Sequence, residues 1–113
     1  MNETIDPRKL LEMAREFQGR VARMKSELGR RRVEADAGAG MVRVVANGLG
    51  EVLEVRIDRI AAESGDVPML EDLVRAAVNE ALRRAKVVTE EEQRKLAGGI
   101  PIPIDLTKLD GKD

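Results

Sequence analysis

The sequence predicts an α+β fold in which two long helices flank a three-stranded antiparallel meander, in the order α-β-β-β-α. Apolar residues recur at helical spacing over residues 10–28 and again over residues 70–85. Between residues 33 and 57 they alternate with polar residues instead. Helical patterns on either side of a run of strands favour a segregated α+β domain over alternating βαβ units.

The first helix is predicted over residues 7–28. Asp6 is suited to cap the free N–H groups of the first turn, and Pro7 fits the first helical position. Gly29 is the predicted stop. The apolar positions follow a 4-3-4-3-4 spacing, which is typical of a coiled-coil seam. They are Leu10, Ala14, Phe17, Val21, Met24 and Leu28.

Three short strands follow, separated by glycine-containing turns. The first alternates over residues 33–37 and ends at the turn Gly38-Ala39-Gly40. The second is the β-branched run of residues 41–46, and the Asn47-Gly48 pair after it predicts a hairpin. The third covers residues 51–57 and is expected to place one apolar row on a single face. That row is Leu53, Val55 and Ile57.

Residues 61–67 are predicted to form a loop, and Asp66 with Pro68 marks the start of the second long helix. Its apolar stripe is Leu70, Leu73, Val74, Ala77, Val78, Ala81, Leu82 and Ala85. The helix either continues to residue 96 or breaks near Thr89, where Thr89 and Glu92 would form a capping box. Residues 1–97 are predicted as one domain. Residues 98–113 are predicted as a flexible extended tail, because Pro101 and Pro103 exclude a helix over residues 100–104.

Composition excludes several classes of function. The chain has no cysteine and no histidine, which removes thiolate chemistry, cysteine-based zinc sites and the commonest general base. No nucleophile has a recognisable base beside it, so no catalytic residues, metal or cofactor are expected, and the protein is predicted not to be an enzyme. The N-terminus lacks the apolar core of a signal peptide, and no segment is apolar enough for a membrane span.

Charge is distributed unevenly along the chain. The net charge is −1, but residues 8–32 carry nine bases and three acids, a net +6. A basic segment of this kind can neutralise the phosphates of a nucleic acid and release bound counterions. The chain has one aromatic residue, Phe17, so it lacks the platform on which single-stranded bases stack. Duplex DNA is therefore the nucleic acid that the composition favours.

Ten basic residues are the predicted nucleic-acid-binding positions. They are Arg15, Arg20, Arg23, Lys25, Arg30, Arg31, Arg32, Arg83, Arg84 and Lys86. The last three form a separate cluster on the second helix. The alternative interpretation is that both clusters are solvated helix faces held by ion pairs with neighbouring acids.

Four motifs resemble one known family. Residues 33–44 read V-E-A-D-A-G-A-G-M-V-R-V, residues 47–52 read N-G-L-G-E-V, residues 70–82 read L-E-D-L-V-R-A-A-V-N-E-A-L, and residues 95–99 read K-L-A-G-G. In this order they resemble the YbaB/EbfC family of bacterial nucleoid-associated proteins. The resemblance implies a homodimer whose helices project like tweezers. It also implies a cytoplasmic location at the nucleoid.

The function implied by the resemblance is binding of duplex DNA by a homodimer, mostly through phosphate contacts, with effects on chromosome organisation and transcription. No membrane and no small-molecule substrate are expected as partners. The alternative is a coiled-coil-like adaptor that binds another protein and has little affinity for DNA. The acidic remainder of the chain, where residues 33–113 carry eleven bases and sixteen acids, is the feature that favours this alternative.

Overall fold

The fold is that of a computed structural model, which describes residues 6–98. Its elements are α1 Pro7–Arg30, β1 Arg32–Ala37, β2 Val42–Asn47, β3 Val52–Ile57, α2 Arg59–Glu63 and α3 Val67–Gly98. The predicted α-β-β-β-α order is confirmed, with one short helix added. The predicted tail lies outside the described residues apart from Gly98, which ends α3.

Helix α1 begins where the sequence predicts and ends two residues later. The Asp6 carboxylate accepts a hydrogen bond of 3.0 Å from the backbone N–H of Arg8, which confirms its role as the N-cap. The predicted stop at Gly29 is wrong, because the helix continues to Arg30. The N–H of Arg31 closes the last turn on the carbonyls of Glu27 and Leu28, so no left-handed glycine is needed there.

Helix α2 replaces part of the predicted loop over residues 61–67, and that prediction was wrong for the residues it covers. It is a single turn in which the N–H of Ala62 bonds the carbonyl of Asp58. Burial of Ala61 and a hydrogen bond from the Ser64 hydroxyl to its carbonyl hold the turn in place. Five residues are too few for a periodic signal, so tertiary packing decides this element.

Helix α3 is continuous over 32 residues. The Asp66 carboxylate accepts a bond of 3.1 Å from the N–H of Met69 and caps its start, as predicted. The break at Thr89 does not occur. The Thr89 hydroxyl donates instead to the carbonyl of Gly48 in the β2–β3 turn, so this residue ties the helix to the sheet rather than restarting the helix.

The sheet has the order β1-β2-β3 with both pairs antiparallel, which confirms the predicted meander. The turn between β1 and β2 has positive φ at Gly38, Ala39 and Gly40. One face of the sheet packs on α3. The core there consists of Ala35, Val42, Val44, Ala46, Ala77 and Ala81. The predicted apolar stripe of α3 supplies its helical side, with Leu73, Val74 and Val78 packed around it.

Strand β3 is the least covered part of the sheet. Val55 and Ile57 lie opposite the buried Val44 and Val42 and so face the same way. Even so, Val55 is 44% exposed, because α3 packs mainly on β1 and β2. The predicted alternation stops at Leu53, because a register shift pairs Val52 rather than Leu53 with Ala46.

The predicted β2–β3 hairpin is confirmed, but its turn differs from the one that an Asn-Gly pair usually forms. A two-residue type I′ turn needs positive φ at both central residues. Here the turn residues are 48–51, and the positive φ is at Gly50. The Asn47 side chain organises this turn by accepting bonds of 3.0 and 3.1 Å from the N–H groups of Leu49 and Glu51.

Candidate nucleic-acid interface

Most of the predicted binding residues lie along α1. This helix carries seven bases and three acids, a net +4. At 100° per residue, Arg15, Arg23 and Arg30 fall on the face opposite the apolar seam. All three are exposed. They therefore form a basic face that points away from the apolar side of the helix.

A groove of about 710 Å³ runs along the N-terminal part of α1. Its lining includes Lys9, Glu12, Met13, Arg15, Glu16, Gly19, Arg20 and Arg23. The absence of a side chain at Gly19 widens the groove beside Arg23. Four bases against two acids give this lining a net positive charge, which suits an anionic backbone.

Few of the bases on α1 are neutralised. Within residues 6–98, five of them make no ion pair through the side chain. They are Arg8, Lys9, Arg15, Arg23 and Lys25. Arg30 donates a bond of 2.9 Å to the Ser26 hydroxyl, which is uncharged and leaves its positive charge uncompensated. The basic face is thus available to an external anion.

The two arginines that follow α1 are engaged with acids. Arg31 lies 3.6 Å from the carboxylate of Glu92 on α3, and Arg32 lies 3.9 Å from that of Glu54 on β3. Both arginines remain exposed. Because both distances are long and the arginine of each pair is exposed, we expect each pair to contribute about 0–1 kcal/mol, so a phosphate can replace the carboxylate at little cost.

A cleft of about 210 Å³ separates the C-terminal parts of α1 and α3. Its lining is Arg20, Arg23, Met24, Glu27, Glu92, Lys95 and Leu96. The Glu92 side chain is only 14% exposed and also lies 3.2 Å from the ammonium of Lys95. Together with Glu27, this carboxylate partly neutralises the three bases that line the cleft.

The cluster predicted on α3 has a different environment. Arg83 and Arg84 approach the two carboxylate oxygens of Glu80 at 2.8 and 3.2 Å. Arg84 also donates to the backbone carbonyl of Glu34 on β1. The hydrogen bond from Arg83, aided by the charge of Arg84, lowers the pKa of Glu80 below its ordinary value of 4.5. Lys86 is exposed.

The structure thus groups the ten predicted residues into two sets on different elements. Seven lie on α1 and the two residues after it, and three lie on α3. Sequence reasoning missed Arg8 and Lys9, which extend the basic face at the start of α1 and belong to the same charged segment. It also missed Glu92 and Lys95, for which no sequence signal exists, because a cross-helix cleft is a product of the fold.

Other kinds of site have little support in the part of the chain that the structure describes. No three acidic side chains converge as a metal site would require over residues 6–98. In the same range, no helix combines the length and apolarity needed to cross a bilayer.

Comparison with known proteins identifies the family. The profile described as the YbaB/EbfC DNA-binding family matches residues 3–100. The chain belongs to this family. Among its relatives, nucleoid-associated proteins of Syntrophobacter fumaroxidans and Moorella thermoacetica are 45% and 44% identical over 93 and 95 residues. These alignments cover 82% and 84% of the chain, and 84% and 91% of the relatives.

A further YbaB/EbfC relative, the nucleoid-associated protein DP1429 of Desulfotalea psychrophila, is 40% identical and covers 93% of the chain and 98% of its own length. The crystal structure of an uncharacterized protein from Helicobacter pylori shares the fold. It matches with a TM-score of 0.68 at 23% identity, over 85% of this chain and 97% of that one. The family assignment agrees with the resemblance seen in the four sequence motifs.

Proposed function

We propose that the protein binds duplex DNA as a homodimer at the nucleoid, chiefly through phosphate contacts from the basic face of α1, and does no chemistry on it. The observation that carries this proposal is the row of exposed bases on α1 that have no acidic partner within residues 6–98. Such side chains form phosphate contacts without first breaking an ion pair. The DNA-binding character of the family supports the same partner.

Duplex DNA is preferred over single strands in this proposal. The single aromatic residue, Phe17, is half-buried on the apolar side of α1 and offers no stacking surface. Proteins that bind single strands usually stack bases on several aromatic side chains. Phosphate contacts position a protein without reading the sequence, so we expect similar affinity for duplexes of different sequence.

The homodimer is proposed from the exposed apolar surface of β3. Val52, Leu53, Val55 and Ile57 are all between 42% and 47% exposed, and Leu49 and Ile60 extend this surface. β3 is also an edge strand, since it pairs only with β2. A contiguous apolar edge of this kind is typical of an interface. A two-fold contact between β3 strands would cover it in both copies.

The variant Val55→Asp tests the dimer. We expect it to have the mass of a monomer in light scattering, because a carboxylate would be buried in the interface. Leu10→Asp is the matched control, since Leu10 is 48% exposed but lies on α1. It should keep the dimer mass. A dimeric Val55→Asp would contradict the assignment of β3 as the interface.

Fluorescence anisotropy with labelled duplexes of several sequences, each titrated over a salt series, tests the DNA proposal. We expect log K to fall linearly with log salt, with a slope of about −0.9 for each phosphate contact. Charge reversal at Arg30, Arg31 and Arg32 together should weaken binding to all sequences alike. Unchanged affinity in a folded triple variant would remove these three residues from the interface.

The adaptor function is the second candidate, and one observation favours it. Leu10, Leu11 and Met13 are exposed in the first turns of α1, where they offer an apolar surface to a partner helix. A folded dimer that fails to bind duplex DNA even at low salt would support the adaptor and contradict the DNA proposal.

A further inference from the structure

Helix α1 is attached to the rest of the fold at its C-terminal end. Leu28 is 1% exposed and is the only fully buried residue of α1. The first turns contribute Leu10, Leu11 and Met13 to the exposed surface instead. The direction of the helix is therefore set over its C-terminal half, where it lies beside α3 and, around Leu28, contacts the β2–β3 turn.

Around Leu28 itself, the contact is made by the β2–β3 turn. We call the group Leu28, Gly29, Asn47, Gly48 and Thr89 the hairpin junction. Asn47 is 3% exposed, and its amide nitrogen donates to the carbonyl of Gly29 on α1 at 3.3 Å and to the Glu51 carboxylate at 2.7 Å. Its amide oxygen accepts two backbone N–H groups of the turn. All four hydrogen-bonding positions of this side chain are thus used.

Gly48 brings the turn into direct contact with the backbone of α1. Its N–H donates to the carbonyls of Leu28 and Arg31 at 2.8 and 3.1 Å. A Cβ atom at this position would lie 2.9 Å from the carbonyl oxygen and 3.2 Å from the Cα of Leu28. Glycine is required here for close approach rather than for its backbone freedom, because its φ is not in the left-handed region.

Helix α3 completes the hairpin junction from the other side. The Thr89 hydroxyl donates to the carbonyl of Gly48. The turn is therefore bonded to α1 through its N–H and to α3 through its carbonyl. The dipeptide Asn47-Gly48 thus joins the end of α1 to the sheet and, through Thr89, to α3.

We propose that Asn47 and Gly48 are positioning residues that set the direction of α1 and so place its basic face on the duplex. The proposal rests on the proposed DNA-binding function. Helix α1 has 24 residues and is about 36 Å long. A rotation of about 10° at the hairpin junction would move its N-terminus by roughly 6 Å, which exceeds the spacing of about 3.4 Å between successive phosphates along the helix axis of DNA.

Two alanine substitutions distinguish the effect of a clash with α1 from the effect of replacing a glycine by alanine. In Gly48→Ala the new methyl group meets backbone atoms of Leu28, so the turn and α1 must move apart. In Gly29→Ala the new methyl group lies 3.5 Å from the Leu49 side chain, an ordinary contact, in the same junction. Neither substitution changes the charge. Gly29→Ala is therefore the matched control.

The position of α1 is measured with spin labels. The chain has no cysteine, so Met13→Cys on α1 and Glu71→Cys on α3 give one specific pair, diluted into excess unlabelled chain. We expect Gly29→Ala to keep the wild-type distance and Gly48→Ala to shift or broaden it by several ångströms. Duplex affinity should fall at least tenfold in Gly48→Ala alone, with a shallower salt slope and an unchanged oligomeric mass.

A second variant covers the case in which Gly48→Ala does not fold. Asn47→Asp combined with Glu51→Gln leaves the net charge unchanged and keeps bonds within the turn, but removes the donor to Gly29. We expect the same displacement of α1 and the same loss of affinity. A displaced α1 with wild-type affinity, or an unmoved α1 in both variants, would overturn the proposal. Failure of the wild-type protein to bind the duplex would instead overturn the proposed function. The spin-label distances would still show whether the hairpin junction sets the position of α1.

Discussion

Helices α1 and α3 have similar numbers of basic residues but opposite environments. Over 24 residues α1 has seven bases and three acids, whereas α3 has six of each over 32 residues. Three of the four arginines of α3 meet nearby acids: Arg75 pairs with Asp72, and Arg83 and Arg84 pair with Glu80. Those of α1 project from a helix that is buried only at Leu28. The number of arginines alone thus says little about binding, because local compensation decides which charges an external anion meets.

The two helices also differ in how they pack on the rest of the fold. Helix α3 covers the sheet with small residues, since Ala77, Ala81 and Ala85 are its buried positions. Small side chains let the helix lie close to β1 and β2. Helix α1 contributes one fully buried anchor near its end, and Phe17, Val21 and Met24 on the same apolar side are only half-buried. Helix α3 thus contributes most of the core packing, and α1 is the helix that we propose to contact the duplex.

Charge reversal on the two helices should give the largest contrast. One variant combines Arg15→Glu, Arg23→Glu and Arg30→Glu on α1, and the other Arg83→Glu, Arg84→Glu and Lys86→Glu on α3. The change in net charge is the same. We expect the α1 variant to lose duplex affinity on the order of a thousandfold and to have a salt slope shallower by about 5, for six lost contacts in a dimer. The α3 variant should lose roughly tenfold or less.

Equal losses in the two variants would mean that overall charge, rather than the basic face of α1, determines affinity. Circular dichroism and light scattering of both variants provide the control for folding and for dimer mass.

Removal of the anchor of α1 should destabilise the protein by about 3 kcal/mol. Leu28→Ala deletes buried methyl groups and leaves a cavity under the hairpin junction, for which costs of about 2–5 kcal/mol are typical. Leu10→Ala, at an exposed position of the same seam, should cost under about 1 kcal/mol. Urea denaturation measures both. A similar cost for the two substitutions would show that the first turns of α1 are packed as firmly as its end.

More of the fold than of the candidate site could be predicted from the sequence. Alternation, helical periodicity and the caps at Asp6 and Asp66 are local signals, and they predicted every long element. The continuity of α3 could not be predicted, because Thr89 and Glu92 fit a capping box and only the contact with Gly48 shows otherwise. The sequence predicted a hairpin at Asn47-Gly48 but not the contact of this dipeptide with α1, because the close approach to Leu28 is a tertiary contact.

In the candidate site, too, the local features could be predicted and the tertiary contacts could not. The uneven distribution of charge along the sequence identified the basic segment of residues 8–32. Sequence did not show that Glu92 would enter the cleft beside Arg31, because these residues are far apart in the chain and meet only after folding. Pairing of Arg83 with Glu80 at i,i+3 is a local signal, and it is compatible with the interpretation of this cluster as a solvated face.

Neutralising the acid in the cleft should strengthen binding slightly. Glu92→Gln removes the carboxylate that lies near Arg31 and Lys95. We expect duplex affinity to rise about two- to threefold, a small effect because the two basic partners are exposed to solvent. Glu91→Gln is the control, because it makes the same charge change at an exposed neighbour. If both substitutions raise affinity equally, the cleft has no particular part in the contact.

The smallest expected effect concerns Glu80 on α3. Because Arg83 lowers the pKa of this carboxyl, its favourable contribution to stability is present above the ordinary value of 4.5 and is lost as the pH falls through the lowered value. A carbon-13 NMR titration should show Glu80 titrating below 4.5, and Arg83→Ala should move its pKa back towards 4.5. An unchanged titration in Arg83→Ala would show that the arginine does not engage Glu80 in solution.

The central claim is that the duplex lies against α1 rather than α3, and amide chemical shifts of the labelled protein test it most directly. Addition of a short duplex at low salt should shift or broaden the amide signals of residues 8–32 and leave those of residues 71–86 close to their free positions. Perturbations concentrated around Arg83, Arg84 and Lys86, with the α1 signals unchanged, would contradict the account and assign the contact to α3.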